Sequence, residues 1–390
     1  MHMPERADKL GVNVREADLL LQLDGGGHGL LDTTHFDTVR FPPPDWAQRA
    51  MVDAMADGAR AYTPYRGSPD VLEPVSRAVG GFLGVDVTAT NMALTPGTQG
   101  GLFAVLAALV DEGDLVMLAD PEYLFVERML AFLGARVERI PVLHDSDSPS
   151  LDLAVIERLL PEQPRLLVFS HPSNPTGSVY GPDNISAIAQ LAVKGNFRVL
   201  VDELYSRLIY DDEPFTHIAA MPGMADRCIS MLGPSKTESM SGFRVGVIVA
   251  PEDVTDAVEQ TLAITALRAP AYAQHLLVRW LVDDEDFLAK RVSDLRSLRD
   301  MTVDRLRTVP GLTARVHSGT AYLFPDVSGM EVPDHVVAKA LRDEAGVIVS
   351  PGYQFGPRGF GHFRVCYARD EQEWSAALDR MVACLTRLTR

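Results

Sequence analysis

A chain of 390 residues with a formal net charge of -17 is too long for one small core and too acidic to favour nucleic acid or an anionic membrane surface. Its hydrophobic residues (46%) and charged residues (23%) are in ordinary globular proportion, and no apolar run reaches the ~18 residues of a membrane helix. Three widely spaced cysteines, Cys228, Cys366 and Cys384, form no CxxC pair, which argues against a zinc site or a redox pair. Because the opening MHMPERADKLGVNVREADLL lacks the apolar stretch of a secretion signal, a cytoplasmic protein acting on small molecules is expected.

In chain order, the first landmark is DGGGHG, Asp24 to Gly29, whose glycines resist ordering and suggest a mobile loop at the entrance of a site. LLDTTHFDTVRFPPPDW follows, and then AYTPYRG. NMALTPGTQGGLFAVLAALV begins as a strand, turns at Pro96-Gly97 and continues as an apolar-faced helix. DLVMLADPEY, RLLVFSHPSNPTG, FRVLVDELY, RCISMLGPSK and FRVGVIVAPED each set a short apolar run directly before a polar or Gly/Pro loop, as buried parallel strands joined by crossover helices do. From about residue 275 the pattern changes to long charged helices, followed by short strands near TAYLFPDV, GVIVSPG and HFRVCYA. The predicted fold class is α/β: a large domain over residues 47–275 with a mostly parallel central sheet flanked by helices, a smaller α+β domain over 276–390, and an N-terminal segment, 1–46, packed on the small domain and the site entrance.

Ligands of open α/β sheets lie beyond the carboxyl ends of the strands, and the loops there carry Gly97-Thr98-Gln99, Tyr123, Asn174, Asp202 with Tyr205, and Lys236. In GPSKTESMSGFRVG, Lys236 stands among small residues, where its amine can form a Schiff base with a carbonyl cofactor. Arg244, between Phe243 and Val245, reads as a charge inside an apolar strand and calls for an anion; phosphate suits its planar fork. The Gly97-Thr98-Gln99 turn would offer backbone N–H groups to the same anion at a helix N-terminus. Asp202, at the end of an apolar run, needs a cation such as a protonated pyridine nitrogen, or else caps a helix over ELYSRLIY. Asn174 and Tyr205 can hydrogen-bond a ring oxygen, and Tyr123 can stack on a ring face. Phosphate, ring nitrogen, ring oxygen, ring face and aldehyde all find a matching group, and pyridoxal 5'-phosphate is the common cofactor with all five.

From about Phe36 onward the chain resembles the fold-type I pyridoxal phosphate enzymes of the class I/II (aspartate aminotransferase-like) family. NPTG stands at Asn174–Gly177, DExY at Asp202–Tyr205 and SKxxxxxGxRxG at Ser235–Gly246. The resemblance implies an aminotransferase moving the amino group of an α-amino acid to a 2-oxo acid, with Lys236 first holding the cofactor and then serving as the general base, and with Ser235 among the cofactor contacts. It implies that Tyr62, in AYTPYRG, reaches the phosphate of a neighbouring subunit, so that a homodimer shares its sites. Arg364, in FGHFRVCYA, falls where the family binds the substrate's α-carboxylate, and Asn174 and Thr34 would line the substrate pocket.

The departures bear on the reaction. Gly233 and Pro234 occupy the stretch where the family has a phosphate-binding serine, and Thr33, Thr34 and His35 replace the glycine of the segment that closes over substrate. His28 or His35 is a candidate second acid or base, and Arg268 either reaches a second carboxylate across a dimer or forms a surface ion pair. A pyridoxal phosphate lyase, synthase or cyclase, catalysing β/γ-elimination or replacement on the same fold in specialised amino-acid biosynthesis, stands as the alternative. A DNA-binding regulator is disfavoured by the charge, and a nicotinamide enzyme by the lack of a GxGxxG opening a βαβ unit.

Overall fold

Strands buried on both faces need helices on both sides, and the central sheet is built that way. The computed structural model describes residues 30–36, 38, 41–144, 148–282 and 284–389. The eight strands of its main sheet are β2 (Met92–Thr95), β3 (Leu115–Asp120), β4 (Arg136–Leu143), β5 (Ser150–Leu151), β6 (Leu166–Ser170), β7 (Arg198–Asp202), β8 (Cys228–Leu232) and β9 (Gly246–Val249), in the spatial order β2-β9-β8-β7-β6-β3-β4-β5. Neighbours from β8 through β7, β6 and β3 to β4 are parallel; β9 runs antiparallel to both β2 and β8, and β5 antiparallel to β4.

Side chains alternate between two apolar layers, as the period of two demands. Val116, Leu118, Leu166, Val168 and Leu200 meet helices α3 (Gly97–Leu109), α4 (Leu124–Leu133) and α7 (Glu252–Thr265) on one face. Met117, Ala119, Leu167, Phe169 and Val201 meet α5 (Leu153–Leu159) and α6 (Pro182–Gly195) on the other. Burying each such aliphatic side chain contributes roughly 1.5–3 kcal/mol, which makes this sheet the rigid frame of the molecule. Beyond its β2 edge, α1 (Asp45–Ala56) and α2 (Pro69–Leu83) close a further apolar cluster around Trp280.

A separate core is formed by α8 (Glu285–Leu306), α9 (Asp334–Ala345) and α10 (Glu371–Leu388) around the antiparallel strands β10 (Tyr322–Leu323), β13 (Phe363–Cys366) and β12 (Ser350–Pro351). Trp374 is fully buried there and donates to the Thr302 hydroxyl at 2.8 Å, while Asp370 caps α10 through the amides of Gln372 and Glu373. The N-terminal segment joins this unit as β1 (Leu31–Asp32), parallel to β11 (Val347–Ile348), with the Thr33 hydroxyl donating to the Ile348 carbonyl at 2.7 Å. Among the described residues no helix is long and apolar enough to cross a membrane.

Three sequence expectations differ from the structure. Arg244 is not inside a strand: it ends a 3-10 turn at Ser241–Phe243 with φ 57°, two residues before β9 begins. ELYSRLIY forms no helix; after β7 the chain turns and delivers Leu204, Tyr205, Leu208 and Tyr210 into the second core. The long charged helix begins at Glu285 rather than near residue 275, because His275–Val278 is a short 3-10 turn. DGGGHG and His28 lie outside the described residues.

Candidate active site

Topology places the carboxyl ends of β2, β3, β6, β7 and β8 along one edge of the sheet. Ser170, Asp202 and Met231 are register neighbours at that edge. Because β9 runs the other way, its start lies there, which is why Arg244 joins the edge from outside a strand. A cavity of about 490 Å³ opens at this edge, lined among others by Thr34, His35, Thr98, Gln99, Tyr123, Asn174, Asp202, Tyr205, Ser235, Lys236, Arg244, Tyr322 and Arg364.

Lys236 differs from the other described lysines. Lys194, Lys290 and Lys339 are exposed and paired with Glu157, Asp294 and Asp343, each at 2.6 Å. Lys236 is half-buried, lines the cavity and forms no ion pair or hydrogen bond through its amine among the described residues. Its charge acts on Asp202, whose carboxyl is partly buried at the cavity edge and pushed up to about 6 by desolvation, with the Leu204 N–H at 3.1 Å and the Lys236 charge pulling the other way. A buried carboxylate so weakly compensated favours an incoming cation.

At the opposite end, α3 begins at Gly97 with its first N–H groups free of helical partners, and Thr98 and Gln99 face the cavity. Gly97 has φ 74°, and a Cβ there would run into the Arg244 guanidinium; a Cβ on Gly246 would come within 2.7 Å of the Thr98 nitrogen. Both positions keep the backbone thin where Arg244 and the helix start converge. Arg244 donates to the Ser241 carbonyl at 2.7 Å, which aims the guanidinium without neutralising it. A buried acid at one end, an arginine and a helix N-terminus at the other, and an unpaired amine between them fit a ring nitrogen, a phosphate and an aldehyde.

The remaining wall belongs to the second core. Arg364 is 4% exposed; its Nη1 donates to Asn174 Oδ1 at 2.7 Å and its Nη2 to the Thr34 carbonyl at 2.6 Å. Its Nε is buried without a partner, so an acceptor is missing where an anion could supply one. The guanidinium also stacks on Tyr322 and Phe355, 4.2 and 4.7 Å from the ring centroids. The Tyr205 hydroxyl donates to Tyr322 at 3.1 Å, and burial raises its pKa well above the usual phenol range. Tyr123 donates to Gln99 Oε1 at 3.2 Å.

The sequence pattern of the family described as "Aminotransferase class I and II" matches residues 32–381. The chain belongs to this family. It is 30% identical over 350 residues to the aspartate/prephenate aminotransferase of Thermus thermophilus, covering 89% of each chain. Its fold matches the crystal structure of an aspartate aminotransferase from Rhodobacter sphaeroides with a TM-score of 0.89 at 32% identity, covering 92% of each chain. It also matches the Thermus thermophilus aspartate aminotransferase with maleate, with a TM-score of 0.90 at 27% identity, covering 99% of this chain and 100% of that one. This aminotransferase therefore depends on pyridoxal 5'-phosphate and moves the amino group of an α-amino acid to a 2-oxo acid.

Of the described residues singled out in the sequence, Tyr62 and Arg268 stay away from the cavity. Tyr62 is 82% exposed, with the Arg268 guanidinium 4.5 Å from its ring centroid. His35 reaches the cavity rim, 3.3 Å from Asp32, whose carboxyl is held well below the usual range by hydrogen bonds from His35 and Thr34 against the cost of burial. Residues missed by sequence reading include Tyr322, Phe355, Ser241 and Glu122. Tyr322 had a signal, since it lies in the strand-like TAYLFPDV, but nothing local ties that strand to Arg364.

Proposed function

We propose that Lys236 carries the pyridoxal phosphate and that Arg364 fixes the carboxylate of the incoming amino acid, in a cytoplasmic homodimer. The observation that carries this reading is the meeting of Lys236, Asp202 and Arg364 in one cavity whose far end is Arg244 and the start of α3. When bound, the cofactor supplies an aldehyde that takes up the amino group and a cationic ring that accepts negative charge.

The chain's own residues supply the rest. Asp202 would pair with the ring nitrogen and hold it protonated; Asn174 and Tyr205 would hold the ring oxygen, and Tyr123 would cover the ring face. Gly97, Thr98, Gln99, Ser235 and Arg244 form the phosphate seat. Arg364, steadied by Asn174 and the Thr34 carbonyl, forks onto the substrate carboxylate and so distinguishes an amino acid from a simple amine. The Lys236 amine, half-buried and lining the cavity, would serve as the base for the Cα proton. In this scheme residues 47–275 hold the cofactor, 276–390 bring the carboxylate anchor, and the segment up to residue 46 closes the entrance through Thr34 and His35. Tyr62, exposed on its own chain, is assigned to the phosphate of a partner, which is the reason for proposing a dimer.

The test is a half-reaction. Holoenzyme given one α-amino acid without any 2-oxo acid should release one 2-oxo acid per site and then stop, with a matching loss of the visible band of the lysine-bound cofactor. Aspartate and aromatic amino acids come first, since relatives bear the names of aspartate and of aromatic amino acids. Continued product formation without a 2-oxo acid would overturn the scheme.

A further inference from the structure

Behind the wall formed by Tyr123 and Asn174 lies a carboxyl group that the scheme above does not use. Glu122 is 3% exposed, forms no ion pair among the described residues, and is pushed up to about 8 by burial, with hydrogen bonds from Tyr123 and Ser170 opposing. An apolar side chain of similar size would cost the fold less than such a group, so stability does not account for it.

Its contacts do. Glu122 Oε1 accepts the Ser170 hydroxyl and the Tyr123 N–H, both at 2.7 Å, and Oε2 accepts the Ser170 N–H at 2.8 Å. The Ser170 oxygen in turn accepts the Asn174 N–H at 2.9 Å, and Asn174 Oδ1 accepts Arg364 Nη1 at 2.7 Å. A second route leaves from the backbone: the Glu122 N–H donates to the Phe355 carbonyl at 2.9 Å, and the Phe355 ring lies against the Arg364 guanidinium, 4.7 Å away. Glu122 therefore joins three pieces that meet only in the folded protein: the loop after β3, the loop after β6 and the segment before β13. Both routes end on one guanidinium.

We infer that Glu122 is a positioning residue for Arg364: its carboxylate holds Ser170, and through it Asn174, so that Asn174 Oδ1 fixes the orientation of the guanidinium toward the substrate carboxylate. The inference rests on the reading of Arg364 as carboxylate anchor. A misplaced guanidinium still binds carboxylate, but less tightly, so the effect belongs in substrate affinity rather than in the chemical step.

The experiment uses holoenzyme with Glu122→Ala, Glu122→Gln, Ser170→Ala and Arg364→Lys. It reads KM and kcat for the best amino-acid donor, Ki for propionate as a carboxylate without an amino group, and cofactor retention by visible absorbance. Glu122→Ala is expected to raise KM and the propionate Ki about tenfold and Ser170→Ala about threefold, with kcat within about threefold and cofactor retention unchanged. Glu122→Gln keeps the Oε1 acceptor of the Ser170 hydroxyl but turns an N–H₂ toward the Ser170 N–H, so its KM and propionate Ki should lie between those of the unaltered enzyme and Glu122→Ala. Unchanged KM and Ki in both alanine variants, or a loss of kcat and cofactor at constant KM, would overturn the inference. If Glu122→Ala yields no folded protein, Ser170→Ala decides by the same criteria. Arg364→Lys separates the two levels: if it leaves the propionate Ki unchanged, the anchor reading itself fails, whereas a raised Ki there with none in the Glu122 and Ser170 variants rejects only the positioning role.

Discussion

The two halves of the cavity are built differently. The half proposed to hold the cofactor, from Gly97 through Asp202 to Arg244, comes from loops directly attached to strands of one sheet, whose register places Ser170, Asp202 and Met231 side by side. The substrate half is assembled across the molecule: Arg364 is held by Asn174, 190 positions away, and by the Thr34 carbonyl, 330 positions away. The first half is positioned by a rigid sheet, and the second depends on how the second core and the N-terminal segment sit against that sheet. Cofactor binding should therefore tolerate changes that alter substrate affinity.

The largest expected effect falls on the cofactor half. Lys236→Ala should lower turnover by ~10³-fold or more, because it removes both the attachment point and the base. Rapid-quench measurement of the half-reaction checks this; unimpaired turnover would break the assignment.

Next comes a pH-dependent stability effect at Asp202. Its pKa in the folded chain without cofactor is raised from 3.8 to about 6. Below pH 3.8 the carboxyl is protonated in both folded and unfolded states and imposes no penalty. Between those values the unfolded state ionises first, so folding stability falls as pH rises, and above about pH 6 the full penalty of ~3 kcal/mol is present. Asp202→Asn keeps the acceptor for Leu204 and removes the charge. The cofactor-free variant should be about 3 kcal/mol more stable than the unaltered chain at pH 7 and about equal to it near pH 3 in urea melts. The same variant should bind cofactor more weakly, so that a gain in stability accompanies a loss of function.

A smaller effect is expected in the substrate half. Arg364→Lys replaces a planar fork with a point charge and should raise KM for amino acids by roughly 10–30-fold while cofactor affinity stays within about twofold. Equal losses in both affinities would erase the distinction between the halves.

That the residues of the proposed cofactor half meet in one cavity was legible in the sequence, because each stands in a short motif at a strand end, where an apolar run stops and a polar loop starts. The readings that failed there concerned backbone detail: Arg244 owes its place to a left-handed turn rather than to a strand. The substrate half was legible only where the family resemblance named a position, as with Arg364. Tyr322 and Phe355, whose rings flank that guanidinium, and Glu122, whose carboxyl reaches it through Ser170 and Asn174, carry no local pattern. Their roles arise from pairings between distant segments, which periodicity does not encode. DGGGHG and His28 fall outside the described residues.

The central claim, that Lys236 is the attachment point, is tested most directly by borohydride reduction of the holoenzyme followed by peptide mass mapping. The account predicts a stable pyridoxyl adduct on the peptide containing GPSKTESMSGFR and on no other. An adduct on Lys194, Lys290 or Lys339, or no adduct in an enzyme that still transfers amino groups, would contradict it.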